Sequence, residues 1–192
     1  MLQSGPKFVR NVKLFIGSSL DGYIAREDGS TDWLYTDNDY GYTQFYDSVD
    51  TIMMGRITYD KFLHSGLEYT HKDKKTFVFT KNSSSGKARR RGKKDADAEY
   101  DNVHFIEDVI EFTRELIQSP GKDIWLVGGA DIISIFLNAQ IINEIILSVH
   151  PIVLGKGIPL FKNLQKQLNL KLVKSIPYQN GLMQLYYEPG YY

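Results

Sequence analysis

The sequence predicts an α/β fold: a mostly parallel central sheet flanked by helices, with antiparallel C-terminal strands. Three observations carry this. Short apolar runs alternate with one-sided helical segments through the first two thirds of the chain, as in parallel strands joined by helical crossovers. Asp123-Ile124-Trp125-Leu126-Val127 is continuously apolar after its first residue, which suits a central strand covered on both faces. In the last third, three strand-like segments follow one another without a helix of comparable length, so that region is expected to form antiparallel strands.

Residues 8–16 alternate loosely and end in Leu14-Phe15-Ile16, a buried strand that Gly17-Ser18-Ser19-Leu20-Asp21-Gly22 breaks with turn residues. Tyr23-Ile24-Ala25 is a short extended return, and Glu27-Asp28-Gly29-Ser30 turns again. Across 37–49, Tyr42, Phe45, Tyr46 and Val49 recur at helical spacing, which predicts a one-sided helix. Thr51-Ile52-Met53-Met54 is a strand closed by Gly55, and a helix is expected over 56–63. Thr76-Phe77-Val78-Phe79-Thr80 and Val103-His104-Phe105-Ile106 are strands. Between them, 82–101 is polar, carries Lys87, Arg89, Arg90, Arg91, Lys93 and Lys94, and reads as a mobile excursion. Val109, Phe112 and Leu116 mark one face of the next helix, with Asp108 and Glu111 at capping-box spacing. Residues 130–137 are apolar almost all round, as in a buried helix. Strands are expected over 144–149, 168–176 and 182–188, the last two joined by a hairpin at 177–181.

The composition narrows the function. A length of 192 residues suits one domain, and 42% apolar with 24% charged residues is a globular balance. The formal net charge is zero, so no global field favours nucleic acid or an acidic membrane. The basic cluster lacks interleaved aromatics and reads as a solvated loop rather than a nucleic-acid site. Cysteine is absent, which excludes disulfides, thiolate metal sites and cysteine nucleophiles and fits a reducing, cytoplasmic setting. No apolar run approaches the roughly 20 residues of a membrane helix, and the start lacks a signal-peptide pattern. His64, His71, His104 and His150 are widely spaced, form no metal-binding pattern and are expected to be structural or surface residues. No G-x-S-x-G elbow supports a serine hydrolase.

Two glycine-marked junctions hold the strongest chemical signal. Met54-Gly55-Arg56-Ile57-Thr58 and Val127-Gly128-Gly129-Ala130-Asp131 each place glycine between an apolar strand and a helix. Helix N-termini offer unpaired N–H groups and a partial positive charge to phosphate oxygens. Glycine removes the β-carbon that would keep a pyrophosphate off the backbone. Two such turns at neighbouring strand ends would grip a dinucleotide from both sides, with Arg56 adding a charged contact. Each turn by itself is also what an ordinary strand-to-helix connection looks like.

Taken in order, Ser19-Leu20-Asp21-Gly22-Tyr23-Ile24-Ala25, Asp32-Trp33-Leu34, Met53-Met54-Gly55-Arg56-Ile57-Thr58-Tyr59, Leu126-Val127-Gly128-Gly129-Ala130-Asp131 and Pro151-Ile152-Val153-Leu154-Gly155-Lys156-Gly157-Ile158-Pro159-Leu160-Phe161 resemble the reductase domain of riboflavin biosynthesis. That domain is the C-terminal part of the bacterial bifunctional deaminase-reductase and has a dihydrofolate-reductase-like fold. The resemblance runs from about Val12 to Tyr187 and implies NADPH as hydride donor. It implies that Gly55, Arg56 and Thr58 hold the cofactor phosphates from one side, and that Gly128, Gly129, Ala130 and Asp131 hold them from the other, chiefly by backbone. Thr80 and Lys81 fall where the family binds the adenosine half. Ser19 and Asp21 fall in the loop over nicotinamide and substrate, and Leu154 and Gly155 close the pocket. Trp33 and Trp125 read as core residues, with Trp33 also placed after that loop where it would border the substrate.

Two features depart from the family. The zinc deaminase segment needs an H-x-E and paired cysteines, and this chain has no cysteine. Riboflavin-pathway reductases usually carry Lys or Arg directly after the Asp-Gly, where Tyr23 stands here. Losing that cation weakens the case for a phosphoribosyl substrate.

Hydride transfer needs the donor carbon held against an electrophilic carbon, with groups nearby to polarise or protonate the acceptor. Dihydrofolate reductases use a carboxylate on the helix after the first strand; Asp37 and Asp39 fall near that place, with Asp39 the better placed. Asp21 is the second catalytic candidate. An acid at a helix start is also a natural cap, and one in a turn a turn former. The expected function is an NADPH-dependent reductase of a small heterocyclic substrate, resembling 5-amino-6-(5-phosphoribosylamino)uracil reductase. The alternatives are a dihydrofolate or other pterin reductase and a non-catalytic nucleotide-binding protein. A homodimer is expected through the strands of the last third, with Phe161, Leu185 and Tyr187 as candidate contacts, because soluble proteins avoid open edges and apolar faces.

Overall fold

The computed structural model describes residues 9–64, 70–80 and 100–191. Among these the elements run β1 (Val12–Ser19), β2 (Tyr23–Ala25), α1 (Tyr42–Ser48), β3 (Val49–Gly55), α2 (Arg56–His64), β4 (Lys75–Phe79), β5 (Val103–Ile106), α3 (Val109–Leu116), β6 (Asp123–Gly128), α4 (Ala130–Asn138), β7 (Glu144–His150), β8 (Ile158–Pro159), β9 (Asn169–Pro177) and β10 (Met183–Gly190). Eight strands form one sheet in the order β5-β4-β3-β6-β1-β7-β10-β9, and β2 pairs with β8 in a small second sheet. From β5 to β7 every pairing is parallel, and β10 is antiparallel to both its neighbours. The α/β class, the parallel centre and the antiparallel C-terminal edge are as the sequence predicts.

Each face of the sheet has its own core. On one face Ile132, Ile133, Phe136 and Leu137 of α4 pack against Val12, Leu14, Ile124 and Leu126, with α3 contributing Val109, Phe112 and Leu116. On the other, Phe45 of α1 and Tyr59 of α2 pack with Ile52, Met54, Val78 and Trp125. The continuous apolar run of β6 is explained: Ile124 and Leu126 face one core and Trp125 the other. Asp108 caps α3 by accepting from the Glu111 backbone N–H at 3.1 Å, satisfying one of the orphan donors of the first turn.

The structure corrects three expectations. β7 is antiparallel to β10 but parallel to β1, so it belongs to the parallel strands as well, because the α4 crossover returns the chain to the end from which β6 started. β1 continues through Gly17, Ser18 and Ser19, which pair with Ser148, Val149 and His150, so those small residues extend the strand instead of breaking it. The helix expected over 37–49 begins only at Tyr42, since Tyr40 and Gly41 have φ of 49° and 74°, left-handed backbone that a right-handed helix cannot include. Asp39 therefore stands ahead of the helix.

β10 lies inside the sheet, with Leu185 half-buried and Tyr187 packed against the core, so the edge belongs to β9. On β9, Leu172 is 51% and Val173 55% exposed. The polar excursion at 82–101 falls outside the described residues up to position 99.

Candidate functional site

Because six neighbouring strands are parallel, their carboxyl ends share one rim, where ligands of open α/β sheets bind. Along it the sheet order sets Thr80 after β4, Gly55 to Thr58 after β3, Gly128 to Asp131 after β6, Ser19 to Asp21 at β1 and the loop with Leu154 and Gly155 after β7. From β4 to β1 is three strand spacings, about 14 Å. The sequence blocks, scattered over 137 positions from Ser19 to Gly155, thus become a single row. Lys81 lies outside the described residues.

The two glycine turns are in contact. Met54 stands opposite Gly128 in the β3–β6 pairing, and a β-carbon on Gly129 would lie 3.3 Å from Thr58 Oγ1. No other described atom would come within 4 Å of that β-carbon, so Gly129 turns its open side to the cleft. Gly128 has φ +122°, where side chains are strained. A β-carbon on Gly55 would instead meet Ile132 Cγ1 at 3.0 Å, so this glycine allows close packing of α4 against β3. The N-termini of α2 and α4 open together at this place, each nine residues long and each carrying about half a positive charge. They form a cradle whose chemistry suits phosphate oxygens.

The charged side chains of the cradle are already paired. Arg56 donates from Nε to Asp60 at 2.6 Å and lies over the Phe105 ring at 4.8 Å. Asp131, which by itself would repel a phosphate, pairs with Lys162 at 2.8 Å. Thr80 donates its N–H to Ile106 O at 3.1 Å.

At the other end of the row the structure brings Ser19, Asp21, Leu154 and Gly155 together. Ser19 Oγ donates to Asp21 Oδ1 at 2.6 Å, Leu154 N–H donates to Oδ1 at 3.1 Å, and Gly155 N–H donates to Oδ2 at 2.7 Å. The Ser19 hydroxyl, followed by the two amides, holds the carboxyl below its ordinary range. Asp39 bonds locally: its Oδ1 accepts from Thr43 Oγ1 at 2.6 Å and Thr43 N–H at 3.0 Å. Those bonds, the hydroxyl's first, lower its pKa and keep it ionised at neutral pH. The local geometry is that of a helix cap, and the carboxylate is exposed.

Trp33 is buried at 6% exposure and sets its edge on His150, ring centroids 5.3 Å apart. Its indole N–H has no hydrogen-bond partner among the described residues, an unusual state for a buried donor. Tyr35 packs on the same imidazole at 5.1 Å.

A family model described as the RibD C-terminal domain matches residues 10–184. The chain belongs to the RibD C-terminal domain family. Two Bacillus subtilis (strain 168) relatives, YyaP and YwjB, both named as uncharacterized proteins, are 34% and 38% identical to it; the alignments cover 93% of this chain and 94% and 97% of theirs. Among solved structures, a Shewanella sp. PV-4 protein provisionally named for riboflavin biosynthesis superposes with a TM-score of 0.80 at 27% identity, covering 94% of this chain and 99% of that one. The Thermotoga maritima diaminohydroxyphosphoribosylaminopyrimidine deaminase/5-amino-6-(5-phosphoribosylamino)uracil reductase gives 0.70 at 17% identity, with 95% of this chain on 57% of that one. Enterococcus faecalis dihydrofolate reductase complexed with NADP(H) gives 0.65 at 14% identity over 93% and 96% of the two chains. At those last two identities the likeness is one of fold, and it is dihydrofolate-reductase-like.

In this RibD C-terminal domain, sequence reasoning missed His150 at the rim. Isolated histidines carry no pattern, yet β7 ends on this one, beside Ser19. Its Nδ1 lies 3.1 Å from Ser148 O, and burial pushes the imidazole below its ordinary pKa, so it is neutral at pH 7. The second missed residue is Gln184, fully buried on β10, whose Nε2 donates to Tyr40 O at 2.9 Å and to Ser148 Oγ at 3.3 Å. It ties the segment carrying Asp39 to the sheet. A polar residue within the strand-like stretch 182–188 was the available signal.

Proposed function

We propose that this RibD C-terminal domain is an NADPH-dependent reductase of a small heterocyclic substrate of the pyrimidine or pteridine kind, in or near riboflavin biosynthesis. The observation that carries this reading is the paired glycine cradle, where Gly129 meets Thr58 and two helix N-termini converge. A β-carbon on Gly129 would intrude where a phosphate has to approach, so the residues present fit the group. The backbone N–H groups of Gly129, Ala130 and Arg56, with Thr58 Oγ1, would hold the pyrophosphate. Thr80 and Lys81 would take the adenosine half. The row then leads to Ser19 at β1, where the nicotinamide half would lie. When bound, NADPH supplies a hydride to an electrophilic carbon.

The chain's own part is to hold the substrate over that carbon and to balance charge. Trp33, Leu154 and Gly155 would border the substrate. Asp39, ionised through Thr43, is suited to orient a substrate N–H or to accept a proton, not to donate one from its resting state. Tyr23, on β2 opposite Pro159, offers no cation to a substrate phosphate. We further propose a cytoplasmic homodimer, with β9 meeting its counterpart, since Leu172 and Val173 are exposed on that edge.

The test is NADPH oxidation followed against a panel of phosphorylated and unphosphorylated flavin precursors and pterins. Turnover of a flavin precursor is expected, with the unphosphorylated compounds favoured until Tyr23→Arg restores a cation. Turnover of pterins alone would reassign the substrate. NADPH binding with no turnover of any compound would make the chain a nucleotide-binding protein.

A further inference from the structure

Two loops meet over the β1 end of the rim, and they are joined at their flanks and at their tips by different means. The flanks are joined by backbone: Leu20 N–H donates to Ile152 O at 2.8 Å, Leu160 N–H donates to Gly22 O at 2.8 Å, and β2 pairs with β8. The tips are joined by Asp21. Its two carboxylate oxygens chelate the successive amides of Leu154 and Gly155, at 3.1 and 2.7 Å. Ser19 Oγ braces it from below, donating to Oδ1 at 2.6 Å while accepting from Tyr23 N–H at 2.9 Å.

Packing contributes little at Gly155, the outer residue of the tip, whereas Leu154 is half-buried. Gly155 is exposed, has φ +75°, and a β-carbon there would meet nothing within 4 Å. Hydrogen bonds to a charged acceptor therefore hold it, and these are stronger than neutral ones. A proton donor must carry a proton and be free to turn toward substrate. Asp21 accepts from three donors, and the Ser19 hydroxyl first among them keeps it ionised.

We propose that Asp21 is a positioning residue whose carboxylate latches the Leu154–Gly155 tip onto the end of β1, fixing the wall against which the nicotinamide half of the cofactor lies. The ligand in this statement rests on the NADPH reading above; the latch itself rests on hydrogen bonds within the chain. Its folded pKa is depressed, so the latch is present at neutral pH and opens as pH falls through that lowered value.

Amide hydrogen exchange on the full chain, without ligand, tests the latch. In Asp21→Ala the amides of Leu154 and Gly155 should exchange about tenfold or more faster, the loss of at least one charge-assisted bond. The amides of β1 and β7 should keep wild-type protection, because the backbone flanks remain. Asp21→Asn, which retains one acceptor but turns N–H toward an amide donor, should fall between. In the wild type the same two amides, corrected for intrinsic rates, should lose protection on acidification, and in Asp21→Asn they should not. Wild-type exchange at the tip of Asp21→Ala, or a pH response unaltered in Asp21→Asn, overturns the latch.

Stopped-flow dissociation of NADPH supplies the second arm, with Asp21→Ala expected to release it about tenfold faster. Fast tip exchange with unchanged release, in a protein that binds NADPH, overturns the link to the cofactor. A wild type that gives no NADPH signal overturns the functional reading instead, and the exchange comparison still decides the latch.

Discussion

Gly129→Ala separates binding from folding more sharply than Gly55→Ala. Gly129 has φ −67° and ψ −173°, outside the left-handed region that favours glycine. Its β-carbon would sit 3.3 Å from Thr58 Oγ1, a contact relieved by a few tenths of an ångström. Gly→Ala at a permitted backbone position also narrows the unfolded ensemble, by about 0.4–1 kcal/mol. The two effects oppose one another, and stability should change by less than about 1 kcal/mol, or a few degrees in Tm. Binding should respond quite differently. The methyl group would stand where a phosphate approaches the α4 N-terminus, and losing two charge-assisted N–H contacts at about 1.5–3 kcal/mol each weakens NADPH by roughly 10²–10⁴-fold. Gly55→Ala is the control: its β-carbon would press on Ile132 Cγ1 at 3.0 Å, inside packed core, and overpacking there should cost about 1–3 kcal/mol of stability. Calorimetric titration with NADPH and thermal melts of both variants give the comparison. Wild-type affinity in Gly129→Ala, with its melt unchanged, would refute the cradle.

NADPH should be preferred over NADH by about tenfold or more, since each charge-assisted contact to the 2′-phosphate contributes about 1.5–3 kcal/mol; Arg56→Ala and Lys81→Ala should erode the preference, and equal affinities in the wild type would show that neither residue reads that phosphate. Asp39→Asn should lower turnover by about 10²–10⁴-fold with little change in NADPH affinity, measured by single-turnover NADPH oxidation; a silent Asp39→Asn would reduce the residue to the cap that its bonds to Thr43 describe. Sedimentation should show a homodimer at micromolar concentration that Leu172→Lys with Val173→Lys dissociates, whereas a wild-type monomer would end the β9 proposal.

The parts of the fold legible in the sequence are those set by local periodicity. Val103–Ile106 carries the expected bounds, and Val109–Leu116 the expected apolar face, because apolar spacing and the Asp108 cap act within a few residues. The start of α1 was not legible, since Tyr40 and Gly41 adopt left-handed backbone and Tyr40 O is held by Gln184, 144 positions away. The direction of β7 was likewise set at a distance, by the α4 crossover and the pairing with β1. At the site, the glycine turns were legible because their chemistry is local. The Asp21 contact with Leu154 and Gly155 was not, for it spans 133 and 134 positions and depends on two loops meeting. Neither was His150, a lone histidine that gains meaning only from Trp33 and Tyr35 around it.

The central claim is that a dinucleotide lies along the strand ends with its pyrophosphate between the two glycine turns. Titration of the ¹⁵N-labelled protein with NADPH, followed by amide shifts, tests it most directly. The amides of Arg56, Gly129 and Ala130 should move saturably at micromolar concentration, joined by Thr80 at one end and Ser19 at the other. No movement at millimolar NADPH, or saturable shifts confined to residues away from this rim, would contradict it.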